Sequence, residues 1–336
     1  MKILVTGGAG YIGSHTCVKL LEQGYEVVVV DNLVNGSSVA LERVEVITGK
    51  PIVLEVIDVL DVEGLDRIFA SNDITAVVHF AGLKNVADSV KKPDCYYESN
   101  VKGTMNILDA MRKYRVKRLI FSSSATVYGS PEVVPIPEDA PLLPVNPYGR
   151  TKFISEMLIR DYAAACEDFS AIILRYFNPV GAHSSGLIGE DPHGEPGNLM
   201  PYVAKVAVGH LPQVDVFGGD YATHDGTGLR DYIHVEDLAE GHLAALRKSN
   251  SRGVHTYNLG TGHANSVLDM IAAFETVTGQ KIPYRIRGRR PGDAAISYAS
   301  PELARTDLEW CTKRDVADMC RDIWRWQSQN PDGFAG

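Results

Sequence analysis

The chain has 336 residues, more than the ~250–300 beyond which one hydrophobic core usually divides, so we expect two lobes or one domain with a large C-terminal addition. A net charge of −9 argues against nucleic acid or an anionic membrane as the main partner. The cysteines are Cys17, Cys95, Cys166, Cys311 and Cys320, and their wide spacing predicts neither a metal site nor a disulfide framework. With no signal-peptide pattern and no apolar run near ~18 residues, we expect a cytoplasmic protein.

A glycine-rich turn stands near the N-terminus between a predicted strand and a predicted helix. The apolar run Ile3–Val5 leads into it, and apolar periodicity follows from Ile12 to Leu21. Gly7, Gly10 and Gly13 have the spacing that permits a tight turn, close approach of a pyrophosphate and close packing of helix on strand. The helix N-terminus also favours phosphate. A plain turn could need the same glycines, so the motif alone is weak evidence.

The next apolar run, Glu26–Val30, ends in Asp31. A carboxylate at this point of a βαβ unit can accept hydrogen bonds from the adenosine ribose and would repel a 2′-phosphate. No arginine follows within the next ten residues to hold such a phosphate. The pattern therefore favours NAD over NADP, and the alternative, a loop carboxylate without a ligand, fits the βαβ context less well.

Strands and helices alternate through the first half of the chain. Further strands are predicted at Ile52–Ile57, Ala76–Phe80, Lys117–Phe121 and Ser170–Leu174, with helices at about 62–70, 96–114 and from Tyr148 onward. This alternation predicts an α/β fold with a Rossmann-type doubly wound parallel sheet. We place the dinucleotide-binding domain at 1–178 and a smaller mixed α/β lobe at 179–336, with some exchange of chain between them. The C-terminal predictions are strands at Val214–Phe217 and Thr256–Leu259 and helices near 200–209, 236–248, 266–278 and 315–329.

Residues able to contact a ligand cluster at the predicted carboxyl ends of the strands, where such sheets bind ligands. They are Gly7–Gly13, Asp31, Asp58, Ala81–Lys84, Ser122–Ser124 and Phe177–Asn178. Asp58 is equally suited to contact adenine or to cap a helix. Their convergence predicts a single shared site.

Tyr148 and Lys152 stand four residues apart, which places them on one face of a helix. A neighbouring positive charge favours phenolate, so we expect Lys152 to lower the pKa of Tyr148. Tyr148 could then exchange a proton with a substrate hydroxyl, with Ser124 bonded to the same hydroxyl and Lys152 holding the nicotinamide ribose. Such pairs also occur on exposed helices without function, but the upstream glycine turn and strand-end serines favour catalysis.

Several segments together resemble the extended short-chain dehydrogenase/reductase family, and within it the epimerases that act at C4 of UDP-hexoses. They are TGGAGYIG (6–13), SSSATVYG (122–129), PYGRTK (147–152), RYFNPVGAH (175–183), RRPGD (289–293) and WRWQ (324–327). The glycine turn and the Tyr/Lys pair mark only the superfamily, whereas SSSATVYG, RYFNPVGAH and RRPGD are more specific. The resemblance extends over essentially the whole chain.

The resemblance implies a redox-neutral isomerase that interconverts UDP-galactose and UDP-glucose. Tyr148, helped by Ser124, would remove the proton of the sugar 4-hydroxyl while the C4 hydride passes to tightly bound NAD. The resulting 4-keto sugar would rotate about its bond to UDP and take the hydride back on its other face.

The same resemblance implies the site residues. The catalytic residues would be Ser124, Tyr148 and Lys152. Cofactor contacts would fall on Gly7, Gly10, Tyr11, Ile12, Gly13, Asp31, Asn32, Asn35, Asp58, Val59, Phe80, Ala81, Lys84, Ser99, Ser124, Tyr148, Lys152 and Phe177. Substrate contacts would fall on Lys84, Ser124, Tyr148, Asn178, Asn198, Leu199, Phe217, Arg230, Arg290, Asp293 and Ser297. Ser99 departs from an asparagine in similar enzymes, which makes Asn100 a second candidate.

Two departures bear on other reactions and substrates. Related 4,6-dehydratases carry an Asp-Glu pair, and related decarboxylases a Glu, where this chain has Ala125 and Thr126. Ser297 replaces a tyrosine that narrows the sugar pocket of some bacterial epimerases, so we expect UDP-N-acetylhexosamines to be accepted unless Tyr298 closes the gap. The alternatives are another NAD-dependent UDP-sugar-modifying enzyme or a net oxidoreductase, and a non-enzymatic NAD sensor, which would not need Ser124, Tyr148 and Lys152 together.

A homodimer is also implied by the resemblance, with the helices near 93–114 and 147–165 packing against their mates. Trp324 and Trp326 could pack internally or against a partner.

Overall fold

The structure is a computed structural model that describes residues 1–194, 196–290 and 292–335. Its strands are β1 Lys2–Thr6, β2 Glu26–Asp31, β3 Val53–Val56, β4 Ile74–His79, β5 Arg118–Ser124, β6 Ser170–Tyr176, β7 Asn178–Val180, β8 Val214–Phe217, β9 Leu229–Arg230, β10 Tyr232–His234, β11 Gly253–Leu259, β12 Asn265–Ser266, β13 Tyr284–Arg287 and β14 Ile296–Ser297. Its α-helices are α1 Tyr11–Glu22, α2 Ser38–Thr48, α3 Val62–Ser71, α4 Val86–Lys91, α5 Pro93–Tyr96, α6 Gly103–Lys113, α7 Pro147–Ala165, α8 Leu199–Ala207, α9 Val235–Lys248, α10 Val267–Thr278, α11 Glu302–Asp307 and α12 Val316–Gln329.

A seven-stranded parallel sheet forms the centre of the molecule, in the order β3-β2-β1-β4-β5-β6-β11. Strand β1 shows why the sheet is covered on both faces, because its alternate residues enter different cores. Ile3 and Val5 pack with α1 and α9, whereas Leu4 packs with α3 and α6. Continuous apolar strands of this kind are typical of parallel sheets buried on both sides. The predicted doubly wound α/β fold is therefore confirmed.

The strand order reverses between β1 and β4, so the glycine turn after β1 and the loop after β4 flank a topological switch point. The chain beyond residue 178 adds two elements to this part of the molecule. Strand β11 pairs with β6, and helix α9 packs against α1. The division at residue 178, with exchange of chain between the lobes, stays a prediction.

The C-terminal residues also build small sheets of their own: β8 with β13, β7 with β10, and β12-β9-β14. Helices α8, α10 and α12 cover a separate core that includes Met200, Phe274 and Met319. Trp324 packs edge-on against Phe274, and Trp326 is buried against Phe334. Both tryptophans therefore pack internally.

The predicted helix at 96–114 differs from the observed structure. A π-helical turn at Tyr97–Lys102 separates α5 from α6. Asn100 lies in this turn and is buried, with its side-chain amide bonded to Leu83 and Thr151. A local departure of this kind inside a helix is frequent near functional sites. Among the residues described, no helix is both long enough and apolar enough to cross a membrane.

Candidate functional site

In the glycine turn after β1, two of the three motif glycines Gly7, Gly10 and Gly13 leave no room for a side chain. Gly7 has φ +72°, and a Cβ there would lie 2.7 Å from the Ala81 nitrogen. A Cβ on Gly13 would lie 2.2 Å from the Gly7 oxygen. A Cβ on Gly10 would have one protein contact within 4 Å, the Gly7 oxygen at 3.3 Å, so this residue is the least enclosed of the three at the helix N-terminus. The turn fits a pyrophosphate group lying against α1.

Asp31 is tied directly to that turn. One carboxylate oxygen accepts from the Ala9 N–H at 3.0 Å, and the other accepts from the Leu33 N–H at 2.9 Å. Burial raises the pKa of Asp31, and the two backbone bonds oppose this shift. The end of β2 is thereby fixed beside the glycine turn, as a ribose-binding carboxylate requires.

Asp58 lies next to Asn32, whose side-chain amide donates to it at 2.6 Å. The other oxygen of Asp58 accepts from the Leu60 N–H at 2.8 Å. The suggestion that Asp58 caps a helix is wrong, because Asp61 is the N-cap of α3 and accepts from Gly64. Asp58 and Asn32 together form the polar rim beside Asp31.

The helix that carries Tyr148 begins close to the end of β5. Asn146 caps it by accepting from the Gly149 N–H at 2.8 Å, and Pro147 occupies its first turn. A Cβ on Gly149 would lie 2.9 Å from the Thr126 oxygen, so only glycine allows this close approach. The local sequence thus sets Tyr148 beside the strand-end serines.

Ser124, Tyr148 and Lys152 are brought together there. The Lys152 ammonium donates to the Ser122 carbonyl at 2.7 Å and lies 5.1 Å from the Phe121 ring centre. The Ser124 hydroxyl accepts from the hydroxyl of Thr126 at 3.0 Å. This arrangement places a hydroxyl, a phenol and an ammonium at one strand end.

The expected effect of Lys152 on Tyr148 is corrected by the structure. Burial raises the pKa of Tyr148, and the hydrogen bond with Ser124 lowers it in part. Burial also lowers the pKa of Lys152 to about 8, which the negative charge of Glu156 opposes. The spacing of Tyr148 and Lys152 indicates that their charges interact, but it does not show that both groups are buried, and burial decides the direction of both pKa shifts.

Charged groups beneath the site fix the catalytic helix to the sheet. Arg175 on β6 makes two bonds to Glu156 on α7, Nε to Oε1 at 3.0 Å and Nη2 to Oε2 at 2.7 Å. Ser123 donates to the same carboxylate at 2.6 Å, and both ionic side chains are buried. This network holds α7 against β5 and β6 one turn beyond Lys152.

A second group of predicted residues meets in the small sheet β12-β9-β14. Arg230 pairs in register with Ser297, and the Asp231 N–H donates to the Ser297 carbonyl at 3.1 Å. The buried Asp231 carboxylate accepts from Thr261, Gly262 and Ala299. Because Asn178 donates its N–H to the Asp231 carbonyl at 2.9 Å, this sheet is joined to the end of β6.

Phe217, Arg290 and Asp293 form the outer part of this region. The Arg290 guanidinium lies 4.9 Å from the Phe217 ring centre and donates to Asp293 at 3.0 Å. Arg230 and Arg290 both lower the pKa of Tyr232, which burial raises to about 12, so both positive charges lie near its hydroxyl. Two arginines beside an exposed aromatic ring suit a nucleoside diphosphate. Pro291 lies outside the described residues.

Lys84 and Asn198 are joined by a residue that the sequence analysis missed. The Glu190 carboxylate accepts from Lys84 at 2.9 Å and from Asn198 at 3.3 Å. Leu199 follows Asn198 as the first residue of α8. The bond from Asn100 to Thr151 was also not predicted, because it joins segments 51 residues apart without a local motif.

The remaining predicted cofactor residues lie around the same strand ends. The Tyr11 hydroxyl donates to the Gly181 carbonyl at 2.7 Å, and Phe80 packs on His242 at 4.8 Å between ring centres. The residues Val59 and Phe177 are buried in apolar clusters, whereas Ile12 and Ser99 are partly buried and Asn35 is exposed.

Comparison with known proteins agrees with this geometry. A model of the NAD dependent epimerase/dehydratase family matches residues 3–260. The chain belongs to this family.

Its relatives in the family are similar over nearly their whole length. A UDP-glucose 4-epimerase of Bacillus subtilis is 59% identical over 99% of both chains. The crystal structure of UDP-glucose 4-epimerase from Bifidobacterium longum, in complex with NAD+ and UDP, has a TM-score of 0.97 at 53% identity and covers 99% of this chain and 100% of its own. The UDP-Glc/GlcNAc 4-epimerase of Campylobacter jejuni has a TM-score of 0.84 at 36% identity, covering 98% and 99%. NAD as the cofactor of this family member agrees with the glycine turn and Asp31.

Proposed function

We propose that the protein interconverts UDP-galactose and UDP-glucose by reversible oxidation at C4 on retained NAD. The observation that carries this proposal is the meeting of Ser124, Tyr148 and Lys152 at the strand ends opposite the glycine turn. The 59% identity to a UDP-glucose 4-epimerase over 99% of the chain supports the same reaction.

Bound NAD supplies a reversible hydride acceptor for the C4 carbon. Tyr148 takes the proton of the 4-hydroxyl and later returns it, while Ser124 bonds to the same oxygen and orients it. Burial lowers the pKa of Lys152 to about 8, so its ammonium can still favour the Tyr148 phenolate near neutral pH. Lys152 is fixed by Ser122, which keeps this charge in place through both proton transfers.

The nucleotide must stay bound while the sugar turns. Arg230 and Arg290 supply two positive charges for a diphosphate, and Phe217 supplies an aromatic face for uracil. Phe217 lies on β8, Arg230 on β9 and Arg290 between β13 and β14, all separate from β5 and α7, which carry the catalytic groups. An anchored nucleotide and a free sugar are therefore compatible with this geometry.

Thr126 argues against dehydration or decarboxylation. Both its N–H, at 3.2 Å, and its hydroxyl, at 3.0 Å, are directed to Ser124. A threonine in this role supplies no carboxyl group for loss of water or carbon dioxide. The single acid–base group that remains, Tyr148, is what epimerisation at C4 needs.

We further propose that the sugar pocket accepts UDP-N-acetylhexosamines. Ser297 has a small side chain and pairs with Arg230 on β9. The neighbouring Tyr298 accepts a hydrogen bond on its carbonyl from the Ile136 N–H at 2.9 Å, which ties its backbone to Ile136. Replacing Ser297→Tyr should remove turnover of UDP-N-acetylgalactosamine and leave UDP-galactose turnover, and equal loss of both would contradict the proposal.

A homodimer in the cytoplasm is the assembly we propose. Tyr97, Met105 and Met157 expose 37%, 46% and 48% of their surface on the π turn, α6 and α7. Exposed apolar groups on adjacent helices are typical of an interface. The five cysteines are unpaired, which fits a reducing compartment. Light scattering of the wild type beside Met105→Glu/Met157→Glu would detect the dimer, and a wild-type monomer would contradict it.

The test of the main reaction uses purified protein without added NAD. UDP-galactose is supplied, and UDP-glucose is measured by chromatography for the wild type and for Tyr148→Phe. We expect conversion by the wild type and a loss of about 10²–10⁴-fold in the variant, the usual contribution of general acid–base catalysis. Conversion that requires added NAD, or that survives in Tyr148→Phe, would contradict the proposed function.

A further inference from the structure

Glu190 occupies the junction between the sheet and the C-terminal lobe. Its Oε1 atom accepts from the Lys84 ammonium at 2.9 Å and from the Asn198 side-chain amide at 3.3 Å. Lys84 follows β4, whereas Asn198 precedes α8, so a single carboxylate oxygen joins the two parts of the site. The Glu190 side chain is 9% exposed and that of Lys84 is 55% exposed.

We propose that Glu190 is a positioning residue that holds Lys84 and Asn198 in the arrangement that receives the UDP-sugar. This inference rests on the proposed function, because it is the UDP-sugar that Lys84 and Asn198 are taken to contact. Glu190 itself acts through these two side chains and needs no contact with the substrate.

The main chain at Glu190 is held independently of its carboxylate. The Glu190 carbonyl accepts from the Trp326 indole N–H at 3.4 Å, and Trp326 is buried. The preceding strand β7 is paired with β10. Removing the carboxylate should therefore leave the loop in place and free only Lys84 and Asn198.

The energies predict that binding and folding will respond differently. An ion pair with an exposed lysine contributes little to folding, because water screens the charge and the side chain loses entropy on pairing. A free lysine side chain samples many rotamers, and part of this entropy must be lost when the side chain is ordered on a ligand. Glu190 orders Lys84 before the ligand arrives, so its loss should weaken UDP-sugar binding more than it weakens the fold.

The tests compare Glu190→Gln and Glu190→Ala with the wild type. We expect KM for UDP-galactose to rise about tenfold in Glu190→Ala, which corresponds to about 1.4 kcal/mol. In Glu190→Gln the rise should be about threefold, because the glutamine side chain keeps a carbonyl oxygen that can accept from one donor. We expect kcat within about twofold and a melting temperature within about 2 °C of the wild type, because an ion pair with an exposed lysine adds little stability. Glu302→Ala, which breaks the exposed pair with Arg305, is the matched control and should change neither KM nor kcat.

A double-mutant cycle separates positioning from a general structural effect. Glu190→Ala is measured again in the Lys84→Met background, where only the Asn198 contact is left to lose. We expect its cost to fall from about tenfold to about threefold or less, since coupled residues are not additive. An unchanged KM in Glu190→Ala, or an equal cost in both backgrounds, would overturn the inference.

The failure of the reaction and the failure of this inference can be told apart. If the wild type does not convert UDP-galactose, the proposed function is wrong. Calorimetric titration with UDP-galactose then replaces KM for the same variants. An equal dissociation constant in wild type and Glu190→Ala, or no binding to either, would overturn the role of Glu190.

Discussion

The buried ion pair beneath the catalytic helix predicts a large loss of stability on Glu156→Gln. Arg175 and Glu156 have 2% and 1% of their side chains exposed, and two hydrogen bonds join them. The substitution keeps the size of the side chain but leaves the arginine charge buried and unbalanced. Removing one partner of such a pair typically costs about 3–5 kcal/mol.

The size of the thermal shift follows from the chain length. Unfolding entropy is about 2.1 cal/mol/K per residue, which gives about 0.7 kcal/mol/K for 336 residues. A loss of about 3–5 kcal/mol should then lower the melting temperature by about 4–7 °C. Differential scanning calorimetry or circular dichroism would measure it.

The control for this prediction is Glu302→Gln, which breaks the exposed pair with Arg305 and should cost no more than about 1 kcal/mol. Arg175→Met supplies the second arm. Glu156→Gln should cost less than half as much stability in that background, because the arginine charge that it would leave unpaired is then absent. A melting temperature of Glu156→Gln equal to that of Glu302→Gln, or full additivity with Arg175→Met, would refute the reasoning.

Three further predictions concern the cofactor and pH. Gly10→Ala should cost less stability than Gly13→Ala but lose retained NAD, measured in the denatured extract, because its Cβ would make one tight protein contact, 3.3 Å from the Gly7 oxygen, while facing the pyrophosphate position; retention of NAD would contradict this. Gly13→Ala should lose both NAD and stability, because its Cβ would lie 2.2 Å from the Gly7 oxygen; normal stability would count against the observed packing. Burial lowers the pKa of His15 and His79 to about 3 and that of His242 to about 4. Below the unfolded pKa near 6.5 the unfolded chain therefore binds more protons than the folded one, and the free energy of unfolding decreases as the pH is lowered. His79→Asn should reduce the loss of stability between pH 6 and pH 5 by about 1.2 kcal/mol, and an unchanged loss would contradict it.

Local patterns predicted the sheet and the cofactor side of the site. The glycine spacing, the strand ending in Asp31 and the four-residue spacing of Tyr148 and Lys152 each reflect geometry within one short segment. The helix at 148 begins one residue earlier than predicted, at Pro147. Each of these features depends on residues close together in the chain, so it can be predicted from a short stretch of sequence.

Features that depend on distant segments could not be predicted in the same way. Glu190 meets Lys84 across 106 positions, and β11 joins the sheet from beyond the predicted boundary. The direction of the Tyr148 pKa shift follows from burial, which the spacing to Lys152 does not reveal. The π turn that places Asn100 beside Thr151 likewise leaves no recognisable pattern in its own sequence.

The most direct test of the central claim follows the hydrogen at C4. UDP-galactose labelled with deuterium at C4 is converted in ordinary water without added NAD, and the UDP-glucose formed is analysed by mass spectrometry and NMR. If C4 is oxidised and reduced again by one retained cofactor, the deuterium passes to the cofactor and back, and it remains at C4 of the product. Replacement of the label by solvent hydrogen, or its appearance in free cofactor, would contradict the account.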